Sequence, residues 1–268
     1  MKFRTMLLAS AAVMFATSAS AADITAKFFT PAQGGILSDT SIQSTRFKAD
    51  LGGDFGEAVA KNLLASEEVT FGVTDNVAIY GGITNAFSYD KDAEYNNDHN
   101  FAYEIGAKYT TSYNKFLGQV AFEYNTYDPR SWWGKSAEGR RYETNRWAKI
   151  LAGEVSFGYE FDCGLTPYTT FAMDGTIDKS SREQNYSWFL GAHKMLDKVS
   201  VDGGFRYDFN GENSDNGKDD AWYVQAEANY FVKENITVGI FGDYYLGGKG
   251  HHDIDYGYTT GINAKVLF

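Results

Sequence analysis

Charged side chains recur at every second position in several stretches of this sequence. Asp202, Arg206 and Asp208 share one parity, whereas Val201 and Phe205 share the other. In a β-strand, residues of one parity lie on one face. An ordered row of charges on one face is suited to attracting or repelling ions. If such faces enclose a pore, their net charge selects the ions that pass.

The candidate pore-lining residues have the parity opposite to the apolar side of their segment. The acidic ones are Glu104, Glu123, Glu154, Asp174, Asp208, Glu227 and Asp243. The basic ones are Arg46, Lys48, Lys108, Arg146, Arg206 and Lys265. Further acids of the same parity, such as Glu68 and Asp202, add to the acidic set. The sequence therefore predicts an acidic lumen that favours cations.

The segments that carry these charges alternate in hydrophobicity with a period of two, which indicates β-strands. In the last segment, Tyr258, Ile262 and Val266 alternate with Asn263 and Lys265, and a helix would mix the two sets. Twelve strands are predicted, near 42–51, 66–73, 77–89, 100–110, 116–127, 146–161, 165–177, 185–195, 199–209, 222–232, 236–246 and 255–268.

Composition excludes several classes of protein. The net charge of -11 argues against a nucleic-acid binder, which needs a basic face. A single cysteine, Cys163, rules out a disulfide framework and a cysteine-based zinc cluster. After the first residues, no run reaches the roughly 18 apolar residues of a membrane-spanning helix. We expect no cofactor and no metal.

The first residues have the pattern of a secretory signal peptide. Lys2 and Arg4 precede the apolar stretch 6–15, and the small residues 19–21 fit a cleavage site. The predicted organisation is therefore a signal peptide at 1–21, an N-terminal periplasmic extension at 22–41 and a barrel at 42–268. The extension has an alternative position, inside the lower end of the barrel.

Short and long connections alternate between the predicted strands, as in an antiparallel barrel of the outer membrane. In hydrocarbon every backbone N–H and C=O must be paired, so a sheet can cross a membrane only when it is closed. The predicted fold is thus all-β, a transmembrane antiparallel up-and-down β-barrel of about 12 strands with its apolar face toward lipid. A secreted β-sandwich or a lipocalin-like barrel also alternates, but it turns its apolar face inward.

The leader, the twelve segments and the final residues 264–268 resemble the small Gram-negative outer-membrane β-barrels of porin-like type. The resemblance implies that Phe268, at the end of an alternating strand, is the signal read by the barrel-assembly machinery. It also implies contact with outer-membrane lipid and lipopolysaccharide, and small solutes or cations as the transported partners. No nucleic acid is expected.

Two connections invite more specific expectations. The long loop 128–145 contains a cluster of arginine and tryptophan that could form a constriction or a ligand site, or could simply pack on itself and on lipopolysaccharide phosphates. The cluster consists of Arg130, Trp132, Trp133, Arg140 and Arg141. The stretch 57–64 is rich in helix-forming residues and could form a short amphipathic turn at the membrane surface.

Function is therefore expected to be that of a narrow passive channel and not of an enzyme. A non-conducting structural or surface-interaction barrel is the alternative. A surface protease of omptin type is a third hypothesis, based on His251, His252, Asp253 and Asp255 in the last loop together with Asp90 and Asp92 in the second. None of the four histidines has a serine two positions away, so the pairing of an outer-membrane phospholipase is absent.

Overall fold

The computed structural model describes residues 23–50, 57–88, 100–127, 148–177, 184–210, 220–249 and 253–268. Twelve strands form one closed barrel, in which each strand pairs antiparallel with its neighbours in the chain and β1 pairs with β12. Their bounds are β1 Ile36–Asp50, β2 Glu57–Gly72, β3 Val77–Ser88, β4 Asn100–Tyr113, β5 Phe116–Tyr127, β6 Ala148–Tyr159, β7 Leu165–Thr176, β8 Gln184–Leu196, β9 Val199–Asn210, β10 Asp220–Lys233, β11 Ile236–Lys249 and β12 Asp253–Leu267. The predicted up-and-down barrel of twelve strands is confirmed.

The outer face of the barrel is apolar and the inner face is polar. In β11, Val238, Ile240 and Tyr244 are exposed on the outside, whereas Thr237 is buried on the inside. Large apolar side chains are exposed in this way all round the wall, for example Ile105 at 65%. A water-soluble barrel would bury them, so the pattern matches a wall that faces lipid. Within the described residues, no helix is long and apolar enough to cross a membrane.

Tight turns join the strands at one end of the barrel, here called the turn end, and both the N-terminal segment and Phe268 lie there. In two of these turns Asn114 and Asp197 adopt positive φ angles of 56° and 53°, and Gly164 in a third adopts 74°. Asn, Asp and Gly are the residues that tolerate this left-handed conformation. The opposite end, called the loop end, is where the strands border the stretches that the structure does not describe.

The first two strands are longer than predicted, which corrects the boundaries of the N-terminal extension and of the barrel. β1 begins at Ile36, so the barrel includes residues 36–41, which pair with both β12 and β2. β2 begins at Glu57, so the stretch rich in helix formers belongs to a strand. Pairing on both edges outweighs the local preference for helix. Residues 23–35 are not a separate extension, because they lie within the turn end of the barrel.

Candidate functional site

Carboxylates dominate the inner face of the described strands. They are Asp39, Glu68, Glu104, Glu123, Glu154, Asp174, Asp202, Asp208, Glu227 and Asp243. Three bases, Lys108, Arg206 and Lys265, share that face together with His193. All seven acids singled out in the sequence therefore lie inside, and three of the six bases do. Asp39 was missed because the first strand was expected to begin after it.

Arg46 and Lys48 were expected to line the lumen, and the structure corrects this. The β1–β12 register pairs Arg46 with Tyr258 and Lys48 with Tyr256, two residues of the outer face. The Arg46 guanidinium carbon lies 5.6 Å from the centre of the Tyr256 ring. Parity could not be read from β1 because its outer face also carries polar residues. Arg146 lies outside the described residues, as do Arg130, Trp132, Trp133, Arg140 and Arg141.

Some inner-face acids are neutralised in local networks. Lys265 Nζ lies 3.3 Å from Glu227 Oε1 and 3.7 Å from Asp39 Oδ2. Glu227 Oε1 also accepts hydrogen bonds from Asn229 at 2.9 Å and Asn263 at 2.8 Å. One lysine thus forms ion pairs with two carboxylates, and the two asparagine amides donate to the carboxylate of Glu227 as well.

Other inner-face acids are grouped with less positive charge. Arg206 Nε donates to Asp208 Oδ2 at 3.0 Å, and its guanidinium lies 4.4 Å from the centre of the Tyr223 ring. On the other side of the barrel the Tyr80 hydroxyl donates to Glu123 Oε2 at 3.0 Å, and Glu68 Oε1 accepts from Thr70 at 3.0 Å. Hydroxyl donors stabilise a carboxylate without cancelling its charge. The inner wall therefore keeps a surplus of negative charge.

The N-terminal segment, residues 23–35, crosses the turn end of the lumen and contacts strands on all sides. Asp23 Oδ2 lies 2.6 Å from His193 Nε2 on β8, and Asp202 lies 3.4 Å from the other ring nitrogen. The Thr25 hydroxyl donates to Ser200 at 2.7 Å, and Lys27 Nζ donates to Glu154 at 2.5 Å. These contacts fix the first half of the segment to β6, β8 and β9.

The second half of the segment reaches the opposite wall. The Thr30 hydroxyl donates to Thr110 on β4 at 2.9 Å, whereas the ring of Phe28, nearer the middle of the segment, meets that of Tyr168 on β7 edge-on at 6.0 Å. Two backbone hydrogen bonds, Gly34 N to Gly72 O at 2.8 Å and Gly72 N to Gly35 O at 2.9 Å, attach the segment to β2. A Cβ at Gly72 would lie 2.2 Å from Ala32 O, so only glycine permits this approach.

The charge of Asp23 is favoured by its position. Burial acts to raise the pKa of this carboxyl, but the hydrogen bonds from His193 and Thr25 outweigh burial, so the pKa lies below the ordinary value of 3.8. Asp23 therefore stays ionised at neutral pH and pairs with the histidine. Sequence periodicity carries no signal for this contact, since the two residues are far apart in the chain.

A cavity of about 350 Å³ lies in the lumen beside Lys27. Its charged lining consists of Lys27, Glu154, Asp202, Arg206, Glu227 and Asp243, and the rings of Tyr168, Phe189 and Phe241 complete it. Four acids face two bases, so the cavity shares the negative balance of the wall. In the described ranges no group of three or more His, Cys, Asp or Glu residues could hold a metal ion.

Phe268 lies at the seam where the barrel closes. Its N–H donates to Ile36 O at 2.8 Å, and the Ile36 N–H donates to Phe268 O at 3.2 Å. The preceding residue, Leu267, is buried with Leu37, Phe231 and Ile24 in a small apolar cluster. The final residues thus join β12 to β1. Recognition of Phe268 by the assembly machinery stays a prediction.

A closed twelve-stranded barrel with an apolar outer wall and a charged lumen defines the class: this is a small porin-like barrel with the fold of Gram-negative outer-membrane proteins. The structure is similar to the COG4313 outer membrane channel from Pseudomonas putida F1, with a TM-score of 0.67 and 10% identity over 90% of this chain and 98% of that chain.

Two further solved structures share the fold at comparable identity. The NanC porin has a TM-score of 0.55 at 11% identity over 85% of this chain and 98% of its own. The translocator domain of the autotransporter NalP from Neisseria meningitidis has a TM-score of 0.50 at 10% identity, over 87% of this chain and 88% of its own. At such identities the likeness concerns the fold alone. No protein-family model and no curated protein sequence matches the chain.

Proposed function

We propose that the protein is a narrow passive channel of the outer membrane whose acidic lumen favours cations. The observation that carries the proposal is the inner face, where ten carboxylates oppose three Lys or Arg side chains in the described strands. Fixed charges of one sign raise the local concentration of ions of the other sign. Likeness to proteins described as a channel and a porin supports the same conclusion.

The proposal includes an orientation and a route to the membrane. A signal peptide at 1–21 is cleaved on export, the turn end faces the periplasm, and the loop end faces the outside. The aromatic residues of the outer wall contact outer-membrane lipid and lipopolysaccharide. The barrel-assembly machinery reads the C-terminal strand that ends at Phe268.

Tracer efflux from proteoliposomes tests the proposed selectivity. Liposomes containing the purified protein are loaded with rubidium and chloride tracers, and the two efflux rates are measured with equal salt concentrations on both sides of the membrane. We expect rubidium to leave faster than chloride. Faster chloride efflux, or efflux equal to that of protein-free liposomes for every barrel variant, would contradict a cation-favouring channel.

A non-conducting structural barrel is the second candidate, and one observation favours it. Every strand has at least one buried inner-face residue near the turn end, so the lumen is closed there in this structure. A permanently closed barrel could serve only as a wall element or a surface for other molecules. Efflux experiments on variants with an altered N-terminal segment separate the two candidates.

The proposal gives the protein no enzymatic role. His251 and His252, from the hypothesis of a surface protease, lie outside the described residues. His193 lies between Asp23 and Asp202, where it anchors the N-terminal segment. Peptide cleavage by the purified barrel that disappears in His252→Ala would contradict this part of the proposal.

A further inference from the structure

We propose that the N-terminal segment, residues 23–35, is a displaceable plug, and that solutes pass through the lumen only after it leaves the turn end. The inference rests on the channel function proposed above and adds a mechanism of gating to it.

A complete ring of buried residues surrounds the segment. Each of the twelve strands contributes one inner-face residue that is at most 9% exposed. The ring consists of Leu37, Thr70, Ala78, Thr110, Gln119, Ser156, Thr170, His193, Ser200, Asn229, Thr237 and Asn263. Polar residues such as Thr237 and Ser156, both 0% exposed, would be wetted if an aqueous path passed this level. The segment therefore closes the whole cross-section of the lumen.

The attachment of the segment to the wall is made largely by side chains. Its polar contacts are the side-chain bridges from Asp23, Thr25, Lys27 and Thr30 described above and two hydrogen bonds of 3.1 Å, from Gln119 Nε2 to Lys27 O and from the Gln33 N–H to Asp75 Oδ1. Its apolar contacts are made by Ile24, which is 2% exposed, by the fully buried Pro31 and by Phe28 and Phe29. The backbone ladders of all twelve strand pairs are complete without it. Removing the segment thus breaks no strand pairing, and the barrel can persist when the plug is absent.

A hinge lies where the segment meets β1. Gly34 has a φ of +82°, a conformation open to glycine, and Gly35 follows it directly before Ile36. Two glycines at the end of a strand allow the preceding residues to swing without disturbing that strand. The two backbone bonds to Gly72 are made by Gly34 and Gly35 themselves, so they hold this end of the segment to β2 while residues 23–33 leave.

Departure of the segment also redistributes the charge of the lumen. Lys27 neutralises Glu154 when the plug is in place, at a distance of 2.5 Å. When the plug leaves, Glu154 becomes a free carboxylate of the wall next to the cavity that Lys27 lines. Asp23 leaves together with Lys27, so the net charge of the lumen is unchanged, but the negative charge that becomes unpaired lies on the wall beside the cavity, where it attracts cations.

A reversible disulfide provides the experiment. The hydroxyl oxygens of Thr25 and Ser200 are 2.7 Å apart, so Thr25→Cys with Ser200→Cys, in a Cys163→Ser background, can link the plug to β9. The matched control, Ser66→Cys with Thr84→Cys, links two strands whose hydroxyls are 2.9 Å apart and leaves the plug free. Current is recorded in planar bilayers before and after reduction.

We expect reduction to increase the current of the Thr25→Cys/Ser200→Cys variant by on the order of tenfold or more. The reason is that the crosslink prevents the N-terminal segment from leaving the turn end of the lumen. The control should show no change. A variant that lacks residues 23–33 should conduct in both redox states. Equal currents from the locked and the reduced plug would overturn the inference while leaving the channel function intact.

Thiol labelling gives a readout that does not depend on current. Ser156 belongs to the buried ring, so Ser156→Cys in the Cys163→Ser background should resist a membrane-impermeant thiol reagent in the full chain and react when residues 23–33 are deleted. Equal labelling of the two proteins would overturn the plug. Protection that is lost on deletion, with no current from the deletion variant, would support the occlusion and contradict the proposed channel.

Discussion

Glu67 and Glu68 are neighbours in the chain, yet their carboxylates lie on opposite sides of the barrel wall. Glu68 faces the lumen and accepts a hydrogen bond from Thr70. Glu67 lies on the outer face, where it accepts hydrogen bonds from Ser38 at 2.6 Å and from Thr40. The pair offers a matched test of which carboxylates determine ion selectivity.

We expect Glu68→Gln to lower the potassium-to-chloride permeability ratio and Glu67→Gln to leave it unchanged. One unit charge a few ångströms from an ion in water contributes ~1 kcal/mol before salt screening, which corresponds to roughly a two- to fivefold change in the ratio. The measurement is the reversal potential in a KCl gradient, recorded with the plug released. An equal effect of the two variants would show that position in the wall is irrelevant to selectivity.

Asp23 makes closure of the lumen sensitive to acid. Its pKa in the docked segment lies below the ordinary value, so its contribution to docking is fully present above about pH 4 and is lost as the pH falls through the lowered pKa. The groups that face it are His193, Thr25 and, through the histidine, Asp202. We expect the planar-bilayer current of the full-length protein to increase below about pH 4, and Asp23→Asn to increase it already at neutral pH.

Lys265 has a different role, since it neutralises two carboxylates at the seam between β12 and β1. Lys265→Met leaves Glu227 and Asp39 without their cation, and we expect it to lower the free energy of unfolding by about 3 kcal/mol. Lys194→Met, on the outer face of β8, is the control and should have a much smaller effect. Urea unfolding in detergent micelles measures both, and similar losses would contradict a specific role of the inner network.

At the scale of elements, the plug and β2 fit together only because of a missing side chain. A Cβ at Gly72 would lie 2.4 Å from Pro31 O as well as 2.2 Å from Ala32 O, and backbone atoms cannot yield as a side chain does. We expect Gly72→Val to displace the segment and increase the open-channel current to near that of the deletion variant. Gly153→Ala, where a Cβ meets nothing closer than 3.7 Å, should behave as the unmodified protein. Unchanged closure in Gly72→Val would contradict the fit.

Most strands could be predicted because one face is apolar and the other is not. In β10, for example, Trp222 and Tyr230 face outward while Glu227 and Asn229 face inward, and parity alone separates them. In β1 the outer positions include Ser38, Thr40 and Ser44, so neither face stands out by hydrophobicity. The predicted start of β1 and the predicted orientation of Arg46 were therefore wrong. Only the pairing register with β12 determines where β1 begins and on which side of the wall Arg46 lies.

The plug could not be predicted from periodicity, because residues 23–35 form no strand. Its position depends on contacts between residues far apart in the chain, such as Asp23 with His193 and Lys27 with Glu154. The sequence indicated that these side chains carry charge and that two of them point into the lumen. It could not indicate that one segment brings complementary charges to both.

At the scale of the whole molecule, a modest mean hydropathy conceals two surfaces of opposite character. The outer wall carries exposed aromatic and aliphatic side chains, and the inner wall carries the acids that contribute to the net charge of -11. Closing the sheet satisfies every strand edge, which a membrane requires. The proposed function depends on two features of the lumen, an acidic wall and a segment that closes one end.

The most direct test of this account is a single-channel recording from the variant that lacks residues 23–33, in a planar bilayer with a KCl gradient. We predict a steady current whose reversal potential has the sign of potassium selectivity, and a full-length protein that is mostly closed under the same conditions. Absence of current from the deletion variant, or a reversal potential of the sign expected for chloride, would contradict the account.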